Sequence, residues 1–206
     1  MLAWAQLLPF IAAALIVELT PGPNMGYLAV VAARQGRRAG LVTVAGVTAG
    51  LALCLLASIG GLVELLAARP SLLAGLRWVG VAYFLWLAVD AWRASTAAAA
   101  GEPVTDGRLF TRGLIVNLLN PKALLLYVAL LPGFLEAGRG RVEVQALLLG
   151  LIHIAIAVAV HLGIVLGAVR VRDGLTGAGA GAPAWLQPAA AVLLVGVAAW
   201  LALSAL

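Results

Sequence analysis

Six apolar runs constrain this chain more than any other feature. They fall at about residues 9–33, 41–67, 72–92, 111–135, 144–169 and 184–203. At about 1.5 Å rise per residue, each is long enough as a helix to cross about 30 Å of hydrocarbon. Barrel strands are excluded, because a spanning strand needs only about 10 residues and alternates apolar with polar. The predicted fold class is therefore all-α: a polytopic integral membrane protein with six transmembrane helices. Composition agrees, with 64% hydrophobic residues, 10% charged and a mean hydropathy of +1.11. A soluble domain averages about 45–50% apolar and about 25% charged. Six spans and short connections use up 206 residues, which leaves no room for a soluble catalytic domain. No enzyme activity is expected.

The net charge of +5 and pI near 10.4 do not point to nucleic acid. The basic residues stand in small groups between the apolar runs, where they act as topology signals. The expected partner surface is the lipid bilayer. Cys54 is the only cysteine, so an intramolecular disulfide and a Cys-based metal site are both excluded. No Lys or Arg precedes Arg34, whereas a cleaved signal peptide has a basic region ahead of its apolar core. The first run is read as a mature helix.

The connections are a basic turn at 34–38, a turn around Arg69-Pro70, an Ala-rich linker at 93–112, a turn at 136–143 and a Gly/Ala loop at 170–183. Placing the first, third and fifth in the cytoplasm puts eight basic residues inside (Arg34, Arg37, Arg38, Arg93, Arg108, Arg112, Arg170, Arg172) and four outside (Arg69, Arg77, Arg139, Arg141). The positive-inside rule favours that orientation, with both termini outward. Trp78 and Trp92 bracket the third run and suit the two interfacial belts; Asp90 and Glu64 are also read as interfacial.

The linker divides the chain into a first three-helix repeat at 1–93, a cytoplasmic linker at 94–110 and a second repeat at 111–206. Homologous halves of three helices must have opposite orientations. Proline interrupts the first helix of each half, at Pro21-Gly22-Pro23 and at Asn120-Pro121. Matching breaks in two halves point to an inverted-repeat transporter with its site where the halves meet. Gly46 with Gly50, and Gly163 with Gly167, add a weak echo of small residues four apart.

Proline lacks the N–H that would bond the carbonyl four residues back, so Pro21, Pro23 and Pro121 are expected to free the carbonyls of Val17, Leu19 and Asn117. Irregular backbone at membrane depth is tolerated only inside protein or along a watery cavity. The helix restarting at Asn24 would offer N–H groups to a carboxylate. A plain kink is the alternative. Lys122, the only lysine beside twelve arginines, follows Pro121 directly, and an intramembrane lysine marks a pathway or a buried partner. Its expected partner is Glu18, as a structural pair or as a binding site for substrate or proton. Asn117 and Asn120 share a helical face; Thr20, Asn24 and Tyr127 can add hydrogen bonds, either for function or to hold helices together. His153 and His161 lie eight apart, about 80° around a helix axis. That is no i, i+4 metal pair, so interior hydrogen bonding or a proton relay is favoured and neither metal nor cofactor is expected.

The stretches Leu19-Thr20-Pro21-Gly22-Pro23-Asn24-Met25, Arg34-Gln35-Gly36-Arg37-Arg38-Ala39-Gly40, Asn117-Leu118-Leu119-Asn120-Pro121-Lys122-Ala123 and Leu131-Pro132-Gly133-Phe134 resemble the lysine-exporter (LysE/RhtB) translocator family, along the whole chain. The resemblance implies export of amino acids or small derivatives across the bacterial cytoplasmic membrane, driven by protons. It carries motif roles to Pro21, Gly22, Pro23, Asn24, Asn117, Asn120, Pro121 and Lys122; Glu18 and the two histidines are not motif positions. The leading expectation is a proton-coupled amino-acid exporter. The alternatives are a metal-cation exporter, a membrane scaffold and an intramembrane enzyme. Substrate identity and oligomeric state, a homo-oligomer included, stay open.

Overall fold

The structure, a computed structural model, describes residues 4–61, 68–96, 104–136, 138, 140–177 and 185–203. The described residues form seven α-helices and no strand: α1 (Trp4–Leu19), α2 (Pro23–Ile59), α3 (Pro70–Thr96), α4 (Asp106–Leu118), α5 (Pro121–Leu125), α6 (Val142–Thr176) and α7 (Leu186–Leu203). Helix α5 runs on through a π-helical turn, Leu126–Leu130, and a 3-10 turn, Leu131–Phe134.

The first apolar run becomes α1 plus the first limb of α2, separated at the Pro21-Gly22-Pro23 break. The expected basic turn at 34–38 contracts to one residue. Gly36, at φ 86° and ψ −176°, is the single non-helical position within α2, and only glycine adopts that φ without strain. The fourth run is likewise split, with α4 ending at Leu118 and α5 starting at Pro121. Helices α3, α4 and α6 extend into the expected linkers, so residues 93–96, 106–110 and 170–176 are helical. Residues 62–67, with Glu64, and the middle of each long connection lie outside the described residues.

Among the described residues three helices are long and apolar enough to cross a membrane: Pro23–Ile59, Ala74–Arg93 and Val142–Thr176. The apolar stretches Gln6–Leu19 and Pro188–Trp200 are shorter. The surface suits hydrocarbon, since Ile16, Leu19, Val79, Trp86, Val171 and Val192 are all at least half exposed. That much outward apolar area marks a lipid contact.

Helix α2 is the hub, packed against α4 and α6, while α3 pairs with α7 and α1 leans on α6. The crossing of α2 and α4 is close because glycines line it. A Cβ on Gly46 would run into the carbonyl of Phe110, and one on Gly113 into that of Thr43. Gly50 lies against the side chain of Asn117, whose amide nitrogen is 2.7 Å from the position a Cβ would take. The echo expected at Gly163 and Gly167 fails, because a Cβ at either would meet nothing within 4 Å among the described residues. Helix α6 instead admits a neighbour at Gly150, which faces Leu55.

Connections one, three and five meet at one end of the bundle. Arg38 pairs with Asp106 at 2.8 Å, Arg112 with Asp90 at 2.9 Å, and the Arg172 guanidinium comes within 3.2 Å of the Cβ position of Gly36.

Candidate transport site

Both helix ends tighten at their breaks. The N–H of Thr20 donates to the carbonyls of Ile16 (3.1 Å) and Val17 (3.2 Å), and its hydroxyl donates to Ile16 at 2.7 Å. At the second break the N–H of Asn120 donates to the carbonyl of Asn117 at 3.0 Å. The carbonyls of Val17 and Asn117, expected to be free, are therefore taken up by i to i+3 bonds, the usual way a last turn closes. The acceptors that the first break offers to Lys122 are the carbonyls of Thr20 and Glu18. The Lys122 ammonium donates to both, at 2.7 Å and 3.5 Å.

The sequence paired Lys122 with the carboxylate of Glu18; the geometry gives that carboxylate two histidines instead. Nε2 of His153 lies 3.1 Å from one oxygen and Nε2 of His161 lies 3.6 Å from the other. The opposite nitrogen of His153 is 3.0 Å from the Tyr127 hydroxyl. In a neutral ring one tautomer satisfies both contacts: Nε2–H donates to Glu18 and Nδ1 accepts the tyrosine proton. His161 is held more loosely. Its 3.6 Å contact is beyond hydrogen-bond reach, and its Nδ1 is buried without a partner.

Asparagines frame this centre. The amide of Asn24 donates to Oδ1 of Asn117 at 2.9 Å, joining α2 to α4. Asn120 caps α5 by accepting from the N–H of Lys122 at 3.0 Å. Oδ1 of Asn24 and Nδ2 of Asn117 remain buried without partners, an acceptor and a donor the fold leaves unused. Gly22 packs on Lys122, with the Cβ position 3.3 Å from Cδ. Pro23 and Pro121 start the restarted helices and are buried, whereas Pro21 is exposed. A cavity of about 10 Å³, bordered by Glu18, Asn24, Asn120, Lys122 and His161, lies between these groups. It has room for about one water.

The structure thus gathers Glu18, Thr20, Gly22, Asn24, Asn117, Asn120 and Lys122 around the two breaks. Sequence reasoning missed that His153 and His161 converge on one carboxylate. Eight residues separate them by about 12 Å along a helix, so only a second helix, α1, placing Glu18 between them shows that they share a partner. Asp90, expected at the interface, is half exposed and paired with Arg112, whose guanidinium also lies 5.0 Å from the centre of the Trp86 ring.

A family model described as LysE type translocator matches residues 15–205. The chain belongs to this family. It is 29% identical over 165 residues to a homoserine/homoserine lactone efflux protein of Salmonella typhimurium, covering 79% of this chain and 80% of that one. It is also 30% identical over 135 residues to a leucine efflux protein of Klebsiella pneumoniae, covering 63% of each. An uncharacterized membrane protein of Pseudomonas aeruginosa is 33% identical over 137 residues, again covering 63% of each chain. No solved structure matches the chain.

Proposed function

We propose that the protein is a secondary active exporter of amino acids or small amino-acid derivatives, exchanging them for protons across a bacterial cytoplasmic membrane. The observation that carries this reading is the Glu18 carboxylate, held between His153 and His161 where the two helix breaks meet. The Salmonella and Klebsiella relatives, named for homoserine and leucine efflux, support the substrate class.

A zwitterion needs an acceptor and a donor close together. Glu18 and the unused Oδ1 of Asn24 supply the acceptors, and Lys122 supplies the cation. In the exchange mechanism, Glu18 binds either a proton or the ammonium of the substrate but not both. One carboxylate with two competing ligands couples the flows without a second site. His153 and Tyr127 orient the carboxylate, and His161, with Nε2 beside Glu18 and Nδ1 without a partner, is the second group that can take the proton in transit. A space for one water cannot hold an amino acid, so this is a closed state, and loading requires the breaks to part. The two halves, 1–93 and 111–206, act as inverted repeats that rock about them. The end carrying Arg34–Arg38, Arg108 and Arg170–Arg172 faces the cytoplasm.

The test is flux in proteoliposomes. Wild-type protein takes leucine or homoserine against its gradient when a pH difference is imposed. Glu18→Gln loses that response without losing folded protein. Equal uptake by Glu18→Gln at matched protein levels overturns the assignment, and failure of any amino acid to move overturns the substrate class.

A further inference from the structure

A groove of about 270 Å³ runs between α2, α6 and α7, apart from the Glu18 site and from the Asp90–Arg112 pair. Its wall is apolar, with Val30, Leu186 and Leu193 in it, and its charged or amphipathic members are Arg34, Arg172 and Trp185. These three gather at one end. Along α2 the groove runs from Ala29 to Arg34, along α6 from Ala168 to Arg172 and beyond, and along α7 back from Leu193 to Trp185. A trough that is cationic at one mouth and apolar along its length has the polarity of a lipid.

The two arginines differ. Arg172 is engaged by Asp173, through contacts of 2.9 Å and 2.6 Å. Arg34 has no ion pair and no hydrogen bond among the described residues, and its Nε is buried without a partner. It stands two residues before the Gly36 joint, where the first limb of α2 leaves its apolar run. Asp90 acts on Arg34 only from beyond ion-pair distance, its own ion pair being with Arg112, so Arg34 has no anion in contact, and one that belongs to the membrane can fill that place.

We propose that this groove binds an anionic phospholipid, with its phosphate on Arg34 and one acyl chain lying along the trough. The planar donor fork of arginine matches a phosphate, and basic pockets between membrane helices are a recurrent form of acidic headgroup site. Trp185 suits the headgroup boundary. A choline lipid fits less well, because its own cation would be brought toward Arg34 and Arg172. This assignment does not depend on the transport reading.

Purified protein in detergent is titrated with phosphatidylglycerol, with phosphatidylcholine of the same chains and with inorganic phosphate, and its thermal unfolding midpoint is followed. Phosphatidylglycerol raises the midpoint, phosphatidylcholine much less, and inorganic phosphate not at all. Arg34→Gln weakens the phosphatidylglycerol effect about tenfold, Arg34→Lys keeps most of it, and Arg69→Gln, outside the groove, leaves it unchanged. Ala189→Trp, which fills the trough and keeps Arg34, weakens both lipids together; it carries the test if Arg34→Gln does not fold. Equal response to the two lipids, full response to inorganic phosphate, or undiminished phosphatidylglycerol binding by either Arg34→Gln or Ala189→Trp overturns the proposal.

Discussion

Lys122, just past the second helix break, donates its ammonium to the carbonyl of Thr20 at the first break, 2.7 Å away and 102 residues distant in sequence. One side chain therefore ties the two interruptions together. Lys122→Met removes the tie and leaves the Thr20 carbonyl without its donor, at about 1–2 kcal/mol of stability. Export is lost while folded protein remains, as flux and detergent melting measured together would show. Lys122→Arg does not restore export, because a wide planar fork does not fit where Gly22 already lies against the lysine stem. Wild-type flux from Lys122→Met would remove the tie from the mechanism.

Glu18 and His153 act as a unit, and Glu18 and Lys122 do so less. The 3.1 Å contact joins carboxylate and imidazole directly, whereas Lys122 meets the backbone carbonyl of Glu18. A double-mutant cycle on Glu18→Gln and His153→Gln yields a coupling of about 0.5–3 kcal/mol in unfolding free energy, the range for residues in contact. The cycle on Glu18→Gln and Lys122→Met gives a smaller value. The reverse order would return the carboxylate to Lys122.

With His153 neutral and donating from Nε2 to Glu18, its Nδ1 accepts from the Tyr127 hydroxyl 3.0 Å away, which holds that tautomer. Tyr127→Phe leaves that nitrogen buried without a donor, costing about 1–3 kcal/mol, and frees the ring to turn either nitrogen toward Glu18. Stability falls, and the dependence of export on external pH changes shape. A melting curve and pH profile identical to wild type would show that the hydroxyl does no orienting.

The breaks were legible from sequence because proline has a local effect: Pro21, Pro23 and Pro121 each lack a helical N–H and stand beside Gly22 or Asn120, whereas Pro9 by itself leaves α1 continuous. The apolar helices were legible for a similar reason, since long runs with few charges favour a helix in a bilayer, and three of the described helices are long and apolar enough to cross one. What the breaks expose was not legible. Whether the carbonyl of Val17 or that of Thr20 stays open depends on how the last turn tightens. The partner of Glu18 depended on which helix packs beside α1, and the choice of α6 over the α5 break moved it from Lys122 to His153. Gly36 read as part of a turn, yet the helix resumes at once, because one residue with positive φ is enough to redirect it.

The proposed orientation puts the shared end of connections one, three and five in the cytoplasm. With Cys54 buried, single cysteines at Thr105 and Arg141 test it, since the proposal places them on opposite faces of the membrane. Thr105→Cys resists a membrane-impermeant maleimide in intact cells and reacts after permeabilisation, while Arg141→Cys reacts in both. The opposite pattern would invert the topology and place the basic end outside.

The glycines separate close packing from mere composition. Gly46 and Gly113 lie where α2 and α4 cross, and a methyl group on either meets backbone carbonyl, which cannot move aside as a flexible side chain can. Gly163 and Gly167, with the same four-residue spacing as Gly46 and Gly50, face open space. Gly46→Ala and Gly113→Ala therefore force α2 from α4, at about 1–3 kcal/mol each. They also disturb the site, because Gly50 and Asn117 lie farther along the same crossing and Asn117 holds Asn24. Gly163→Ala and Gly167→Ala meet no neighbour and gain helix propensity, so they leave stability unchanged or slightly raised. Melting midpoints of the four single variants in one detergent decide the matter: a loss at Gly163 or Gly167 equal to that at Gly46 would mean that the second pair packs against a partner after all.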